Sequence, residues 1–217
     1  MRRKTFGASL PLNEKKNSLV SNEDWSSFFL GGIVVDKELS FYIIDEKYVK
    51  YLQDKELEKR GFTKVSNTFN LLYLHKKCYV GIIFEINGFK YLAPLTHPKT
   101  HYEENKQFFN RISTPINITT GEKTKYFGRI MYSYMIPVPT DDLIEEIIIN
   151  DVDDYGYRML LLTQYFFIND KKVKDSIYLK ASMLYKKVCN NPNHYLSKVC
   201  CDFKYFEDIS KDYTDQK

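Results

Sequence analysis

Asn87-Gly88 is the dipeptide that most restricts what this chain can fold into. Both residues tolerate the positive φ angles of a two-residue hairpin turn, and apolar runs flank them. Cys78–Ile86 (CYVGIIFEI) reads as a buried strand and Phe89–Leu95 (FKYLAPL) as the strand that returns. Pro94 has no N–H to donate, which limits pairing near the end of the second strand. Phe41–Ile44 is a shorter strand. Asp45 caps a helix with an apolar stripe of Tyr48, Val49, Tyr51 and Leu52. Lys55–Asn70 is a polar connection, and Thr96–Asn110 is a polar loop running into a short helix. Tyr126–Pro137 is another strand, whereas Leu143–Ile149 is strand or helix, since periodicity does not separate them. Tyr157–Asn169 and Ser176–Asn190 have helical spacing, the first with Met159, Leu160, Gln164 and Phe167 on one side. Strands precede helices, the order of an α+β fold with a small antiparallel sheet or barrel and mainly C-terminal helices.

Residues 1–39 differ from the rest. They are polar, turn-rich and weakly periodic, and are expected to be an N-terminal extension, disordered to about Asn22, ahead of a single domain over 40–217. Gly31-Gly32 can be encoded by GGAGGA, a ribosome-binding sequence, and Val35 by GTG. One reading of the extension is therefore a start codon placed too early.

The 32 Lys and Arg exceed the 28 Asp and Glu by four, too few to identify a partner, but the charges are blocked. Residues 90–129 carry seven basic and three acidic side chains, 141–154 seven acidic and no basic, and 155–200 eight basic and two acidic. Solvated faces and a nucleic-acid surface both account for this pattern. The 18 Tyr and 15 Phe serve a core or stack on bases. Cys78, Cys189, Cys200 and Cys201 form no CxxC pair, which suits a reducing cytoplasm. No apolar run approaches the roughly 18 residues of a membrane helix. There is no phosphate-binding glycine loop and no G-x-S-x-G turn. His97 and His101 have the i, i+4 spacing of a metal pair, but Pro98 lies between them, and no metal or cofactor is expected.

Lys90–Lys99 (KYLAPLTHPK) is the segment with chemistry in it. A strand delivers a hydroxyl, an imidazole and an ammonium together at its end. RNA cleavage without a metal needs such groups, because the RNA supplies its own 2′-hydroxyl nucleophile. The protein must help to remove the 2′ proton, protonate the 5′ leaving oxygen and stabilise the phosphorane. A polar loop closing a hairpin is the plainer reading of the same residues.

The core resembles the ToxN/AbiQ family, the endoribonuclease toxins of type III toxin–antitoxin systems. The likeness rests on Phe41-Tyr42-x-Ile44, Tyr48–Leu52, Lys77-x-Tyr79–Ile82, and Glu85-Ile86-x-Gly88-x-Lys90 through Thr96 with Pro98-Lys99. Met135–Val138 and Arg158–Leu160 extend it, so that it spans about 40–190. The resemblance implies a compact antiparallel β-barrel-like core related to MazF/Kid. It implies metal-independent RNA cleavage to 2′,3′-cyclic phosphate and 5′-OH ends, on cellular and phage mRNA, in abortive infection. It also implies inhibition by a small tandem-repeat, pseudoknot-like antitoxin RNA that closes with the toxin into a protein–RNA ring. The family's active-site positions fall on Lys77, Thr96, His97 and Lys99. Tyr48, Tyr73, Tyr91, Arg111, Lys123, Lys125 and Arg158 are expected to hold RNA. Where the family has Ser after Thr96, this chain has His97, which is a gain, a substitute or a spectator. Arg158 and Lys171, Lys172 and Lys174 pair with the acidic block or hold phosphates. Two rival readings are a non-catalytic RNA-binding module and an inhibitory protein docking through 141–154.

Overall fold

The computed structural model describes residues 38–70, 75–97 and 106–215. Strand β1 (Ser40–Ile44) leads into helix α1 (Glu46–Arg60), which Asp45 caps by accepting from the Tyr48 amide at 2.8 Å. The helix runs six residues, Lys55–Arg60, into the stretch read as a polar connection. Its polar end is supported by Lys55–Glu58 and Arg60–Glu56 contacts, and it closes on Gly61, which adopts the left-handed conformation with φ 73°. Short strands β2 (Phe69–Asn70) and β3 (His75–Lys76) pair with each other.

The hairpin β4 (Tyr79–Ile86) and β5 (Phe89–Thr96) turns on Asn87 and Gly88, at φ 53° and 81°. Next come helix α2 (Lys106–Ile112) and a second hairpin, β6 (Ser113–Thr120) and β7 (Lys123–Met131). With Ile116 and Ile118 as its only aliphatic residues besides Pro115, β6 has a weak apolar signal in the sequence; pairing with β7 holds it as a strand. The stretch Tyr126–Pro137 is not one strand. It breaks at a 3-10 turn over Tyr132–Tyr134, and β8 (Ile136–Val138) then pairs with β5 at Lys90–Leu92, while β7 pairs further along the same edge at Leu95 and Thr96. Leu143–Ile149 resolves as strand β9 (Ile144–Glu146), paired with β1.

The sheet runs β6-β7-β5-β4-β1-β9, with β8 attached to β5. It is antiparallel and stays open. Among the described residues, edge strands β6 and β9 each pair on one side only, so the expectation of a barrel-like core is corrected to a seven-stranded sheet. Helices α3 (Tyr155–Asn169), α4 (Lys171–Asn190), α5 (Tyr195–Val199) and α6 (Phe203–Asp215) complete the α+β architecture, the last two unforeseen. Among the described residues no helix is long and apolar enough to cross a membrane.

Tyrosine builds much of the core, and each buried hydroxyl needs a partner. Tyr48 donates to the Pro137 carbonyl at 2.6 Å and shares a 2.7 Å bond with Ser210 Oγ. Tyr91 and Tyr185 both donate to Glu207 Oε1 at 2.7 Å, and Asn87 Nδ2 donates to Glu207 Oε2 at 3.0 Å, which ties the hairpin turn to α6. Leu39 is fully buried, and its backbone exchanges hydrogen bonds with the Asn169 side-chain amide. The expectations about residues 1–37 lie outside the described residues.

Candidate active site

Lys77 and Thr96 meet because of an irregularity in the first hairpin. Pairing out of the turn runs Ile86 with Phe89 and Phe84 with Tyr91, but further along it is Val80 with Ala93 and Tyr79 with Pro94. Between Val80 and Phe84, β4 spends two residues more than β5, a β-bulge. Two places beyond the Tyr79–Pro94 pair, Lys77 therefore stands opposite Thr96; the Leu95 amide donating to the Cys78 carbonyl at 2.9 Å holds that register. Gly81 sits in the bulge, where a Cβ would lie 2.5 Å from Leu92 Cγ. Only glycine lets the Leu92 side chain pack over the backbone there.

On the other edge of β5, Thr96 pairs with Arg129 of β7. Arg129 is buried, donates to Ser113 Oγ at 2.8 Å and lies over the Phe109 ring of α2. Lys180 of α4 donates to Thr114 Oγ1 of β6 at 3.4 Å; burial and then the Arg129 charge hold its ammonium below the usual lysine range. The end of β5 thus lies in a positive field, which suits a phosphate.

Lys76, Lys77 and Cys78, then Leu95, Thr96 and His97, then Tyr157, Leu160, Leu161 and Gln164 of α3 line one shallow cleft, open to solvent. The sheet supplies the charged and hydroxyl groups and α3 supplies the roof. Thr96 Oγ1 is buried in it and has no hydrogen-bond partner among the described residues. Buried hydroxyls are nearly always paired, so this one marks a place where a ligand group belongs. Burial pushes the Cys78 thiol up to about 12, and it contacts the Tyr157 hydroxyl, itself raised by burial. Cys78 is therefore a neutral thiol near pH 7 and no nucleophile. The cleft offers donors and an imidazole, suited to proton transfer and to stabilising charge on an oxyanion.

Of the residues expected in the site, Lys77, Thr96 and His97 come together; Lys99 and Tyr73 lie outside the described residues. Tyr48 and Tyr91 are core residues. Both are fully buried, their hydroxyls bonded inside the protein, and Tyr91 stacks on Phe84 at 4.8 Å, so neither presents a ring to a base. Arg111 donates to Tyr195 Oη at 3.0 Å on the surface. Lys123 and Lys125 are exposed at the tip of the β6–β7 hairpin, about 20 and 13 Å along the strand from Arg129. They form a basic patch apart from the cleft. Arg158 reaches back to the acidic block, toward the Asn150 carbonyl at 3.5 Å, and lies over the Tyr155 ring.

Sequence reasoning missed Gln164 and Tyr157 as cleft residues, and Gly128. A glycine inside a strand often marks close backbone approach, and Gly128 does: at φ 117°, a Cβ there would sit 2.3 Å from the Thr96 carbonyl oxygen.

Similarity to known proteins covers the same core. Residues 40–211 match the family model described as toxin ToxN of type III toxin–antitoxin systems. The chain is 30% identical over 182 residues to the endoribonuclease ToxN of Bacillus thuringiensis subsp. kurstaki, covering 81% of this chain and 84% of that protein. It is 26% identical over 184 residues to the endoribonuclease AbiQ of Lactococcus lactis subsp. lactis, covering 84% and 92%. A solved structure of AbiQ, a lactococcal anti-phage endoribonuclease, superposes with TM-score 0.67 at 23% identity, over 82% of this chain and 99% of that one. A second, from work on selective toxin inhibition by a non-coding RNA pseudoknot, superposes with TM-score 0.64 at 29% identity, over 82% and 99%.

Proposed function

The chain belongs to the ToxN family of type III toxin–antitoxin toxins, whose relatives ToxN and AbiQ are endoribonucleases, and on that premise we propose that the cleft under α3 is its RNA-cleaving centre. The ribose 2′-oxygen attacks the adjacent phosphorus as its proton leaves, the P–O5′ bond breaks, and the 5′-oxygen takes up a proton. The products are a 2′,3′-cyclic phosphate and a 5′-hydroxyl. Lys77 and Thr96 Oγ1 donate to the phosphorane oxygens, where charge develops. His97, a residue type that titrates near neutrality, carries the proton transfer that a serine at that position could not. Lys99 adds a further cation.

One observation carries this reading: the buried, unpartnered Thr96 hydroxyl in the same cleft as Lys77 and His97. The inhibitor is a small, tandem-repeat antitoxin RNA with a pseudoknot fold, like the one with which a related toxin was studied. The exposed Lys123 and Lys125 patch, away from the cleft, gives that RNA a second contact and lets toxin and RNA alternate in a closed ring. The substrates are cellular and phage mRNAs, cut in the cytoplasm. The open sheet is read as a relative of the MazF/Kid barrel that has not closed. The catalytic domain is read as 40–217, with residues 1–39 an extension to it.

Lys77→Ala and Thr96→Ala each test the assignment. Loss of one such donor costs about 10²–10³ in rate, so each variant is expected to be non-toxic in bacteria while still binding antitoxin RNA. Full toxicity of both at wild-type expression would sink the assignment; RNA binding with no cleavage by the unaltered protein would favour the non-catalytic module.

A further inference from the structure

Helix α3 faces the sheet with Leu161, Gln164 and Ile168, spaced i, i+3, i+7. Two of these are apolar, as a core stripe requires, and the third is an amide that is 3% exposed. An apolar residue at 164 would bury the same area without desolvating a polar group. The Gln164 amide has two N–H donors and an oxygen with two lone pairs. Among the described residues it makes one hydrogen bond, from Nε2 to the Phe127 carbonyl at 2.7 Å. That bond fixes which end is nitrogen, because a carbonyl accepts only from the N–H side. It leaves Oε1 as a neutral acceptor on a residue that lines the cleft.

Gln164 stands next to Thr96. A single point, the Cβ position built on Gly128, lies 2.3 Å from the Thr96 carbonyl oxygen and 3.4 Å from Gln164 Nε2. The unpartnered Thr96 hydroxyl and the Gln164 amide, whose oxygen is not used by its one bond to Phe127, thus share one cleft with Lys77 and His97. The cationic and hydroxyl groups there are matched to phosphate oxygens. A 2′-hydroxyl about to attack needs an acceptor that holds its hydrogen and so aims the oxygen lone pair at phosphorus.

We propose that Gln164 is a substrate-contacting residue whose Oε1 accepts a hydrogen bond from the attacking ribose 2′-hydroxyl and orients it toward the scissile phosphate. The inference deepens the cleavage reading above and rests on it. The bond to Phe127 and the packing of Leu161 and Ile168 hold the amide still, so the hydroxyl is ordered by a rigid group. Gln164 takes no proton; it selects one rotamer of the 2′-hydroxyl.

The test is a coupling cycle in the full chain made inactive by Lys77→Ala. A short RNA containing a cleavage site and its analogue with a single 2′-deoxy sugar at the attacking position are titrated against the Lys77→Ala protein, and against the same protein with Gln164→Met or Gln164→Glu. Circular dichroism establishes that each is folded. The 2′-deoxy change is expected to weaken binding about tenfold in the parent, the scale of one hydrogen bond to a well-placed acceptor, and to have no effect with Gln164→Met. Gln164→Glu keeps an acceptor oxygen but has no N–H for the Phe127 carbonyl, so the group is no longer held and the discrimination is expected to fall there too. If the 2′-hydroxyl matters equally to the parent and to Gln164→Met, the proposal for Gln164 falls and the cleavage reading stands. If it matters to none of the proteins, RNA is not held in the cleft by its 2′-hydroxyl, and both fall. Should neither Gln164 variant fold, a 2′-fluoro sugar decides in the parent. Fluorine cannot donate, so a loss equal to that of the 2′-deoxy sugar is expected, and full affinity overturns the proposal.

Discussion

Gly128→Ala should disable the site without unfolding the protein. A methyl at residue 128 would lie 2.3 Å from the Thr96 carbonyl oxygen, whereas ordinary contact begins near 3.4 Å. The obstacle is backbone, which cannot rotate away as a side-chain end can. Thr96 must therefore move by about 1 Å, a displacement that can cost roughly 10² in rate when it misplaces a catalytic group. An alanine forced to φ 117° also stores about 1–3 kcal/mol of strain. For a domain of this size that lowers Tm by about 2–12 °C, within the roughly 5–15 kcal/mol by which domains are stable. Gly121→Ala is the control. Gly121 has φ 61° in the β6–β7 turn, so alanine is strained there too, but nothing lies within 4 Å of its added carbon. Both variants, purified with antitoxin RNA and then freed of it, are assayed on a fluorescent RNA alongside thermal melts. Gly128→Ala is expected to lose about 10² in kcat/KM and Gly121→Ala to keep its rate, with the smaller fall in Tm for Gly121→Ala. Wild-type cleavage by folded Gly128→Ala, or an equal loss in Gly121→Ala, would refute the coupling of β7 to Thr96.

Three other outcomes are expected. On the proposed mechanism proton transfer and charge stabilisation come from side chains, so cleavage should continue in EDTA and leave a cyclic phosphate; arrest by EDTA with recovery in Mg²⁺ would contradict it. Glu56 is fully buried and accepts from Arg60 at 2.7 Å, Thr63 at 2.9 Å and the Lys64 amide at 2.6 Å. Glu56→Ala strands the Arg60 charge, which costs about 3–5 kcal/mol and should lower Tm by about 6–20 °C; a melt within about 2 °C of wild type would show that the pair contributes little. Antitoxin RNA held through the Lys123 and Lys125 patch should bind with an affinity that falls steeply as salt rises, and Lys123→Ala with Lys125→Ala should flatten that slope, an outcome excluded if the slope is unchanged.

Local chemistry made much of the fold legible in the sequence. Asn87-Gly88 can hardly do other than turn a hairpin, Asp45 caps the helix that begins at Glu46, and a helical stripe such as Ile177, Ala181, Leu184, Tyr185 and Val188 buries one face. The string ending in Thr96 and His97 located the end of a strand where hydroxyl and imidazole are delivered together. Residue type alone did not say which tyrosines are surface. Tyr48 and Tyr91 have the composition of base-stacking residues, and only their tertiary partners, Pro137, Ser210 and Glu207, make them core.

The assembly of the site belongs to tertiary structure. A hairpin without the bulge, counted back from its turn, sets Lys77 opposite Pro98. The two extra residues of β4, accommodated at Gly81 beneath Leu92, move it opposite Thr96. Strand pairing is a long-range hydrogen-bond pattern, and a bulge shifts it with no change in the apolar alternation a reader of sequence counts. Gln164 is the same case from a helix: its spacing assigns it to a buried stripe, and only the packing of α3 over β7 gives that buried amide a carbonyl on one side and the Thr96 cleft on the other.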